Sequence, residues 1–308
     1  MMVRGGYRLT ACLCAAIAAV GVGGCGSEHE SASGPTTPAP ATLIVDFLNT
    51  PGLPEHFRTT ASPLAPTAAT PPSLVGFDSL RESGSTDPSR DGWQSIADAL
   101  PPGTRYDIDL RQETHLYVDG MVVSWYGERD DANMGMTTQQ VLDLQARRVK
   151  ELTDARDITF GILPGKSATP PMNPLTGPRT VDTEQQVVTP LGFTYEYLPV
   201  PDGHMPSPQT VDEFLAFTRS LPADAWLHFH CREGHGRTTT FMAMYDMMRN
   251  AKQVSLDDII ARQHLIGGAD LATDQAAQPF IPSFYEYARQ NTDDFHTPYS
   301  TWLAAHPS

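Results

Sequence analysis

The chain has 308 residues, long enough for one large domain or a core with a smaller satellite. Its formal net charge of −15, with 21 Lys and Arg against 36 Asp and Glu, argues against non-specific binding to nucleic acid or to an anionic membrane. The charge also opposes long-range steering of a polyanion, so such a ligand would need a local basic pocket. Arginine must supply most of it, because the lysines are only Lys150, Lys166 and Lys252.

The first 24 residues have the pattern of an export signal. Arg4 and Arg8 provide a basic start, and the apolar run 9–22 is too short for a stable spanning helix. Small residues then lead to Cys25, a pattern that resembles a bacterial lipobox, so Cys25 is predicted to be lipidated after removal of residues 1–24. The alternative is ordinary signal cleavage with an incidental cysteine. The lipid anchor predicts an exported bacterial lipoprotein, periplasmic or on the outer membrane or cell surface, with no other membrane contact.

The cysteine count supports this interpretation. Cys12 and Cys14 leave with the signal and Cys25 carries lipid, so Cys231 is the remaining thiol of the mature globule. An exported protein with a lone cysteine has no disulfide framework, and the thiol becomes a candidate nucleophile. Residues 25–41, rich in Ser, Pro, Thr and Ala, are typical of a flexible tether.

Between residues 42 and 136 the chain favours short strands. Asp119-Gly120 separates two apolar runs and is typical of the turn in a β-hairpin. Residues 59–92 are rich in Pro, Ser and Thr and show no clear pattern. The predicted elements are a strand at 42–47, a helix at 93–100, a strand at 106–111, and hairpin strands at 115–118 and 121–125.

From residue 137 onward strands and helices alternate, and the last third is helical. Thr137 with Gln140 resembles a capping box at the start of a long helix. The alternation predicts an α/β fold with a mainly parallel sheet. The predicted elements are helices at 137–155, 183–188, 211–221, 256–266 and 280–290, with strands at 158–163 and 194–198.

The stretch 226–248 carries the strongest functional pattern. Alternating large residues predict a buried strand at 226–230, a turn containing Gly234 and Gly236 follows, and helical spacing begins at Thr238. A strand, a glycine-bearing loop and a helix form an anion cradle, because loop N–H groups converge and the helix N-terminus adds its positive end.

Two residues make this cradle a candidate catalyst. Cys231 lies at the start of the loop, where Arg237 and the helix N-terminus would favour a thiolate nucleophile. Arg237 has the planar fork that holds two phosphoryl oxygens, and Thr238 can donate its hydroxyl to the sulfur when it leaves. An isolated cysteine is more often a small buried hydrophobe, but His230, the glycines and the strand–helix frame favour the nucleophile.

The pattern His-Cys-x5-Arg-Thr resembles the signature loop of the protein-tyrosine-phosphatase superfamily. The wider text HFHCREGHGRTTTFMAMYDM is similar to the bacterial tyrosine-phosphatase-like phytases, cysteine-dependent enzymes that dephosphorylate inositol polyphosphates. Similar segments run from about residue 45 to the end: LPEHFRT, DLRQETH, DGMVVSWYGERDDAN, DIIARQHLIGG and HTPYSTWLAAHP. The resemblance implies an α/β phosphatase core (42–59 and 137–308) with a mainly parallel sheet flanked by helices. It also implies a small, partly closed β-rich inserted domain at 60–136.

Expulsion of an alcohol from a phosphate ester needs a proton donor. Asp202 is the candidate, because it follows a strand end on a Pro/Gly-rich loop and matches the family's general acid. Without the signature loop, Asp202 would be interpreted as an ordinary turn aspartate. Family members usually have His directly after this Asp, whereas Gly203 intervenes here and His204 comes one residue later. We expect either a displaced loop or a role for His204 in contacting substrate or tuning Asp202.

The resemblance also implies a set of substrate contacts. Arg111 and Asp130 match positions near the pocket, with structural salt bridging between these charges an equal alternative, and Arg58 has the alternative of a solvated surface residue. Ala168 replaces an expected lysine, and residues 268–278 contain neither Lys nor Arg. These differences predict a preference for less phosphorylated inositols, or for another phosphate ester, over hexakisphosphate. The predicted substrate-binding residues are Arg232, Glu233, Gly234, His235, Gly236, Arg58, Asp130, Lys166 and His204.

The sequence therefore predicts a cofactor-free phosphohydrolase that removes phosphate from myo-inositol polyphosphates through a cysteinyl-phosphate, with polyanionic small molecules and no nucleic acid as partners, acting as a monomer. One alternative is a protein-tyrosine phosphatase, which pocket depth would distinguish. Another is a non-catalytic phosphate-binding surface lipoprotein. A metal site at His228, His230 and His235 is disfavoured, because no carboxylate or second cysteine in the sequence visibly completes the set.

Overall fold

Residues 37–67 and 70–307 are described by the structure, a computed structural model. The predicted signal segment 1–24 and Cys25 lie outside these ranges, so lipidation and export stay predictions. Within the described ranges, no helix has both the length and the apolar character needed to cross a membrane.

The elements follow one another with short strands first and helices last. The strands are β1 (Thr42–Phe47), β2 (Arg58–Thr59), β3 (Glu82–Thr86), β4 (Arg105–Arg111), β5 (His115–Val118), β6 (Met121–Tyr126), β7 (Asp157–Ile158), β8 (Leu175–Thr176), β9 (Val181–Asp182), β10 (Phe193–Val200) and β11 (Trp226–Cys231). The helices are α1 (Arg90–Ala99), α2 (Thr138–Asp154), α3 (Glu184–Val188), α4 (Pro208–Arg219), α5 (Gly236–Asn250), α6 (Leu256–Leu265), α7 (Ala277–Gln290) and α8 (Tyr299–Ala305).

The central sheet has the strand order β10-β4-β11-β3-β2. β4 pairs in parallel with β10 and β11, and β11 pairs in parallel with β3, whereas β2 is antiparallel to β3. The predicted α/β fold with a mainly parallel sheet and flanking helices is therefore confirmed.

The second sheet is antiparallel, with the order β1-β6-β5-β9. Its β5–β6 hairpin turns at Asp119 and Gly120, which adopt φ values of 49° and 81° and so confirm the predicted turn. In the part of the chain that the structure describes, this sheet is open rather than a closed barrel. Isolated bridges from β1 to Gly161 and Ala168 extend one edge.

The sheets do not follow the predicted domain boundaries. β3 and β4, from the predicted insert 60–136, lie in the central sheet beside β11, whereas β1, from the predicted core, lies in the small sheet. The described residues, 37–67 and 70–307, fall into a single compact unit by their contacts. The division into a core and an insert stays a prediction.

One local prediction fails and one strand was not predicted, each for an identifiable reason. The strand predicted at 158–163 ends at Ile158, because the Asn173 side chain takes both backbone groups of Phe160, accepting from its N–H and donating to its carbonyl. Strand β3 has no pattern in the sequence that predicts it, because its residues, Glu-Ser-Gly-Ser-Thr, are polar. It is nonetheless fully buried, and Gly84 lets it approach α5: a Cβ there would lie 2.7 Å from Thr238 Cγ2.

Side-chain alternation gives the central sheet two different faces. Ile108 and Leu110 of β4, with Leu227 and Phe229 of β11, join the apolar core beneath α5. The opposite face of the same strands carries a buried charged layer, which the small sheet helps to cover. Its members include Asp107, Asp109, Arg111, His228 and His230. Helix α5 is buried nearly all round, as expected for a helix in the centre of the core.

Candidate active site

The signature loop (residues 231–237) joins the end of β11 to the start of α5. It lies at the carboxyl edge of the parallel strands, where ligands bind in open α/β sheets. Gly234 has φ of 68°, and a Cβ there would lie 2.4 Å from the backbone of Ser85 and Thr86. The end of β3 thus fixes the middle of the loop, and glycine is required at this position.

The carbonyl groups and the N–H groups of the loop backbone differ in whether they have hydrogen-bond partners. The carbonyl of Arg232 accepts from the Asp87 N–H (3.3 Å), and the carbonyl of Gly234 accepts from Arg58 Nη1 (2.9 Å). By contrast, none of the N–H groups of residues 232–236 donates to an acceptor among the described residues. Free N–H groups beside a helix N-terminus are suited to bind an anion.

Cys231 lies at the start of this loop and is only 3% exposed. The Thr238 hydroxyl donates a hydrogen bond to its Sγ (3.2 Å), as predicted from the sequence spacing. The guanidinium groups of Arg237 and Arg58 both interact electrostatically with the sulfur. The sulfur therefore has one hydroxyl donor and two guanidinium groups in its electrostatic environment.

Arg237 is held by two carboxylates and one carbonyl. Its Nη1 and Nη2 donate to Glu113 Oε2 and Oε1 (2.7 and 2.9 Å), and Nη1 also donates to the Val200 carbonyl (3.0 Å). Nη2 lies 2.9 Å from Asp202 Oδ1. Burial would lower the pKa of Arg237, but Glu113 and Cys231 raise it, so the guanidinium stays charged.

The structure therefore brings Asp202 to the signature loop. Asp202 follows β10, and its side chain is 44% exposed. Gly203 has φ of 69°, and the Nδ1 of exposed His204 pairs with the Asp202 carbonyl at 2.8 Å. The extra Gly203 thus forms a tight turn, with the His204 ring against its own loop.

Glu113 is a site residue that was not among those predicted from the sequence. It is fully buried and bridges Arg237 to Arg111, whose Nε lies 2.9 Å from Glu113 Oε1. Burial would raise the pKa of Glu113, but Arg237 and Arg111 outweigh that effect and hold it at about 2. One feature of the sequence did indicate a role in the site: Glu113 lies two residues after Arg111, just beyond the end of β4 and within the segment DLRQETH.

Two predicted substrate contacts, Arg232 and Lys166, lie beside the Tyr126 ring. The Arg232 guanidinium lies 5.3 Å from the ring centroid and donates to Asp46 (2.9 Å), Glu233 (2.9 Å) and the Lys166 carbonyl. Exposed Lys166 has its Nζ 5.9 Å from the same ring. The Arg232 side chain is thus bound by protein acceptors, whereas its N–H has no acceptor among the described residues, and its contact with substrate stays a prediction.

Asp130 lies at the edge of this group, 3.8 Å from Arg232 Nε and only 4% exposed. Its carboxylate oxygens have no hydrogen-bond partner among the described residues. Burial, with Glu113 next, raises the pKa of Asp130 to about 7. The role of Asp130 in binding substrate stays a prediction.

Arg58 is neither a solvated surface residue nor free to face solvent. It is 1% exposed, and its guanidinium donates to carbonyls of the signature loop and of His56. His235 is half-buried, and its Nε2 lies 3.0 Å from His56 Nε2 on the rim of the loop. Glu233 is exposed and its carboxylate pairs with Arg232, so the side chains of Glu233 and Arg58 both bind protein groups, and their substrate contacts stay predictions.

Arg111 is fully buried, and the structure decides between its two predicted alternatives in favour of salt bridging. Its guanidinium pairs with Asp46 (3.0 Å), Asp87 (2.6 Å) and Glu113 (2.9 Å). These three carboxylates come from different parts of the fold, and Arg111 joins them beneath the pocket.

Carboxylates do come together with histidines in the buried layer, a correction to the sequence argument. Asp87, His115 and Glu184 form one set, and Asp107, Glu184 and His230 a second, with ligand atoms within 4.8 Å of one another. Burial would lower the pKa of His230, but Glu184 and Asp107 raise it well above its ordinary value. A protonated imidazole has no lone pair for a metal, so the sets fit an ion-pair network. The absence of a metal stays a prediction.

Comparison with known proteins is consistent with this geometry. The family model for PTP-like phytases, described as "Inositol hexakisphosphate", matches residues 108–249. The tandemly repeated protein tyrosine phosphatase-like phytase from Mitsuokella multacida has 35% identity and a TM-score of 0.77 over 90% of this chain and 50% of that one. The chain belongs to the PTP-like phytase family.

Two further relatives define the family context. The PTP-like myo-inositol phosphatase from M. multacida, solved with myo-inositol-(1,3,4,5)-tetrakisphosphate, has 32% identity and a TM-score of 0.78 over 89% of this chain and 49% of that chain. The effector protein hopD2 of Pseudomonas syringae pv. tomato is 31% identical over 227 residues, which are 68% of this chain and 48% of the relative. The chain thus spans about half the length of these relatives.

Proposed function

We propose that this chain hydrolyses phosphate monoesters of myo-inositol polyphosphates through a cysteinyl-phosphate intermediate. The observation that carries the proposal is the arrangement around Cys231. Its sulfur accepts a hydrogen bond from Thr238, lies at the helix N-terminus, and faces the field of Arg237 beside a loop whose N–H groups lack acceptors among the described residues. An anion cradle around a thiolate is suited to phosphoryl transfer.

In the first step, Cys231 Sγ attacks phosphorus and the bond from phosphorus to the ester oxygen breaks. Protonated Asp202 gives its proton to the leaving alcohol oxygen, so the alcohol departs neutral. The loop N–H groups and Arg237 stabilise the charge on the equatorial oxygens. Because Asp202 Oδ1 lies 2.9 Å from Arg237 Nη2, the phosphate oxygens must displace this exposed carboxyl, which is then free to act as the acid.

In the second step, water attacks the cysteinyl-phosphate. Asp202, now ionised, accepts a proton from the water, and the sulfur–phosphorus bond breaks. The Thr238 hydroxyl stabilises the departing thiolate. The balance is one ester and one water consumed, one alcohol and one phosphate formed, and no cofactor is required.

The inositol polyphosphate assignment rests on family membership and on the M. multacida phosphatase solved with an inositol tetrakisphosphate. The cations near the signature loop favour a lower degree of phosphorylation. Arg111 and Arg232 are largely occupied by buried carboxylates, whereas Lys166 is exposed. We therefore infer faster turnover of inositols with fewer phosphates than of hexakisphosphate.

Phosphate release from inositol hexakis-, tetrakis- and monophosphates, a phosphotyrosine peptide and p-nitrophenyl phosphate tests the proposal. Wild type should release phosphate from inositol phosphates, and Cys231→Ser should be inactive on every substrate while remaining folded. Activity that survives Cys231→Ser would rule out the nucleophile. Preference for the phosphotyrosine peptide would favour the protein-phosphatase alternative, and clear preference for hexakisphosphate would contradict the inference about substrate charge.

A further inference from the structure

None of the proposed reaction steps uses Arg58, yet this buried side chain contacts the signature loop. It opens the two-residue edge strand β2, where it pairs with Gly84 of β3. The whole residue is 1% exposed, in the interior beside the end of β11. An arginine buried this deeply needs acceptors for its N–H groups, and their positions indicate what it does.

The guanidinium joins three parts of the active-site frame. Nη1 donates to the carbonyls of Gly234 (2.9 Å) and His56 (3.0 Å), and Nη2 donates to Thr239 Oγ1 in the first turn of α5 (3.1 Å). The Thr239 hydroxyl oxygen also accepts from the Ala269 N–H (2.9 Å). One planar fork thus connects the segment before β2, the middle of the signature loop and the start of α5.

The contact with Gly234 fixes one of the peptides of the anion-binding loop. Gly234 already lies against Ser85 and Thr86 of β3. Arg58 binds its carbonyl, which sets the plane of the peptide that carries the next N–H of the loop. A lysine could not hold Gly234 and Thr239 in the same way, because it presents a single nitrogen.

Arg58 also contributes charge. Burial lowers the pKa of Arg58 to about 10, although Cys231 and Glu82 act in the opposite direction, so it remains protonated at neutral pH. Burial and the neighbouring Asp246 raise the pKa of Glu82 well above its ordinary value. Arg58 Nη2 donates to Thr239, and the preceding residue, Thr238, donates to the sulfur of Cys231, so this positive charge lies close to the thiol.

We propose that Arg58 is a positioning residue that holds the Gly234 peptide of the signature loop and supplies a second positive charge to the Cys231 thiolate, rather than a phosphate ligand. The catalytic consequence rests on the proposed phosphatase function. The effect on the thiol does not, because it belongs to the free protein. The two can therefore be tested separately.

The first experiment measures alkylation of Cys231 by iodoacetamide as a function of pH in the full chain, with the Cys231 peptide quantified by mass spectrometry. In Arg58→Gln the midpoint of alkylation should move up by about one pH unit, because one of two nearby cations is removed. Arg58→Lys keeps a charge and should stay closer to wild type. Arg105→Gln is the matched control: Arg105 donates to the Ala97 carbonyl, and it pairs with Trp226 at the far end of β11, about 17 Å along the strand from Cys231.

The second experiment compares kcat and KM for p-nitrophenyl phosphate and inositol hexakisphosphate. In Arg58→Lys and Arg58→Gln, kcat should fall about 10- to 100-fold by the same factor on both substrates, with KM little changed, because the loop is misplaced while the groups that bind phosphate are all still present.

An unshifted alkylation midpoint in folded Arg58→Gln, or a KM increase confined to hexakisphosphate, overturns the proposal. If Arg58→Gln does not fold, Arg58→Lys decides: wild-type kcat would refute the positioning role. Absence of phosphate release by wild type would refute the proposed function and leave the alkylation result intact.

Discussion

At the scale of single residues, Arg237 has two carboxylate partners of very different character. Glu113 is fully buried and binds both terminal nitrogens, whereas Asp202 is 44% exposed and binds one. Without Glu113, the buried guanidinium groups of Arg237 and Arg111 would lose a shared partner, so we expect Glu113 to stay bound to Arg237 when substrate binds. The bond to Asp202 is the one that an incoming phosphate can replace. Glu113 thus orients the guanidinium, and Asp202 remains free to move between Arg237 and the leaving group.

Replacement of Asp130 by Asn should change the pH dependence of stability. The folded-state pKa of Asp130, about 7, lies above its ordinary value of 3.8. Between pH 3.8 and about 7, Asp130 keeps its proton in the folded protein but loses it in the unfolded chain. The free energy of unfolding therefore falls as the pH rises through this range. Asn cannot ionise and tolerates the observed φ of 61°.

Asp130→Asn should thus be more stable than wild type at pH 8 by about 1–3 kcal/mol, with the difference shrinking toward pH 5. Urea denaturation at both pH values measures this effect. Asp143→Asn, on the exposed side of α2, is the control and should show no such trend. A variant that is less stable than wild type at pH 8 would show that the Asp130 carboxylate makes a favourable charged interaction instead.

At the scale of elements, two strands with the same alternation build both the core and the site. On β4 and β11 the apolar side chains face α5, and the charged side chains face the buried layer. The register of the sheet places Asp109 beside His230 and Ile108 beside Phe229. A slip of one residue would exchange the two faces, so the charged layer helps to fix where β11 ends and the loop begins.

The two glycines of the signature loop should respond differently to a methyl group. Gly234→Ala places a Cβ 2.4 Å from the backbone of Ser85 and Thr86 at φ of 68°, so the loop or β3 must move. We expect a decrease of about 2–4 kcal/mol in stability and of at least about 100-fold in kcat. Gly236→Ala meets no atom within 4 Å and should change stability by less than about 0.5 kcal/mol.

Chemical denaturation followed by circular dichroism compares the two variants, and phosphate release gives kcat for Gly234→Ala. Equal decreases of stability in both variants would contradict the account of steric fixation by β3. A stable Gly234→Ala enzyme with wild-type kcat would show that the loop tolerates a different backbone conformation.

At the scale of the whole molecule, the charge of −15 and the basic site act in opposite directions. Arg58, Arg111, Arg232 and Arg237 are buried near the loop, and carboxylates surround three of them. The field outside the protein is therefore expected to repel a polyanion, and attraction begins only at short range. A highly phosphorylated inositol must therefore overcome an electrostatic energy barrier before it reaches the site.

Added salt should lower that barrier. Between ionic strengths of about 0.01 and 0.15 M the screening length falls from about 30 to 8 Å, so long-range repulsion disappears before short-range attraction weakens. We expect kcat/KM for inositol hexakisphosphate to rise about 2- to 10-fold over this range. Because p-nitrophenyl phosphate carries less charge, it serves as the control and should change less. A fall in kcat/KM with salt would show that the positive field of the site dominates at long range.

The parts of the fold and site that could be predicted are those encoded by neighbouring residues. The capping box at Thr137, the Asp119-Gly120 turn and the parallel sheet followed from local patterns. The polar strand β3 could not be found in this way, because only pairing with β2 and β11 makes its side chains interior. For the same reason, Arg58 could not be recognised as a buried residue from its own segment.

The sequence alone determined the signature loop from Cys231 to Arg237, since its strand end, glycines, nucleophile and cation lie within seven consecutive residues. Only the tertiary structure decided which side chains orient that loop. Glu113 binds Arg237 across 124 residues of chain, and Arg58 binds Gly234 across 176. Such contacts depend on the order of strands in the central sheet, which results from packing the whole chain. No local pattern of side chains specifies it.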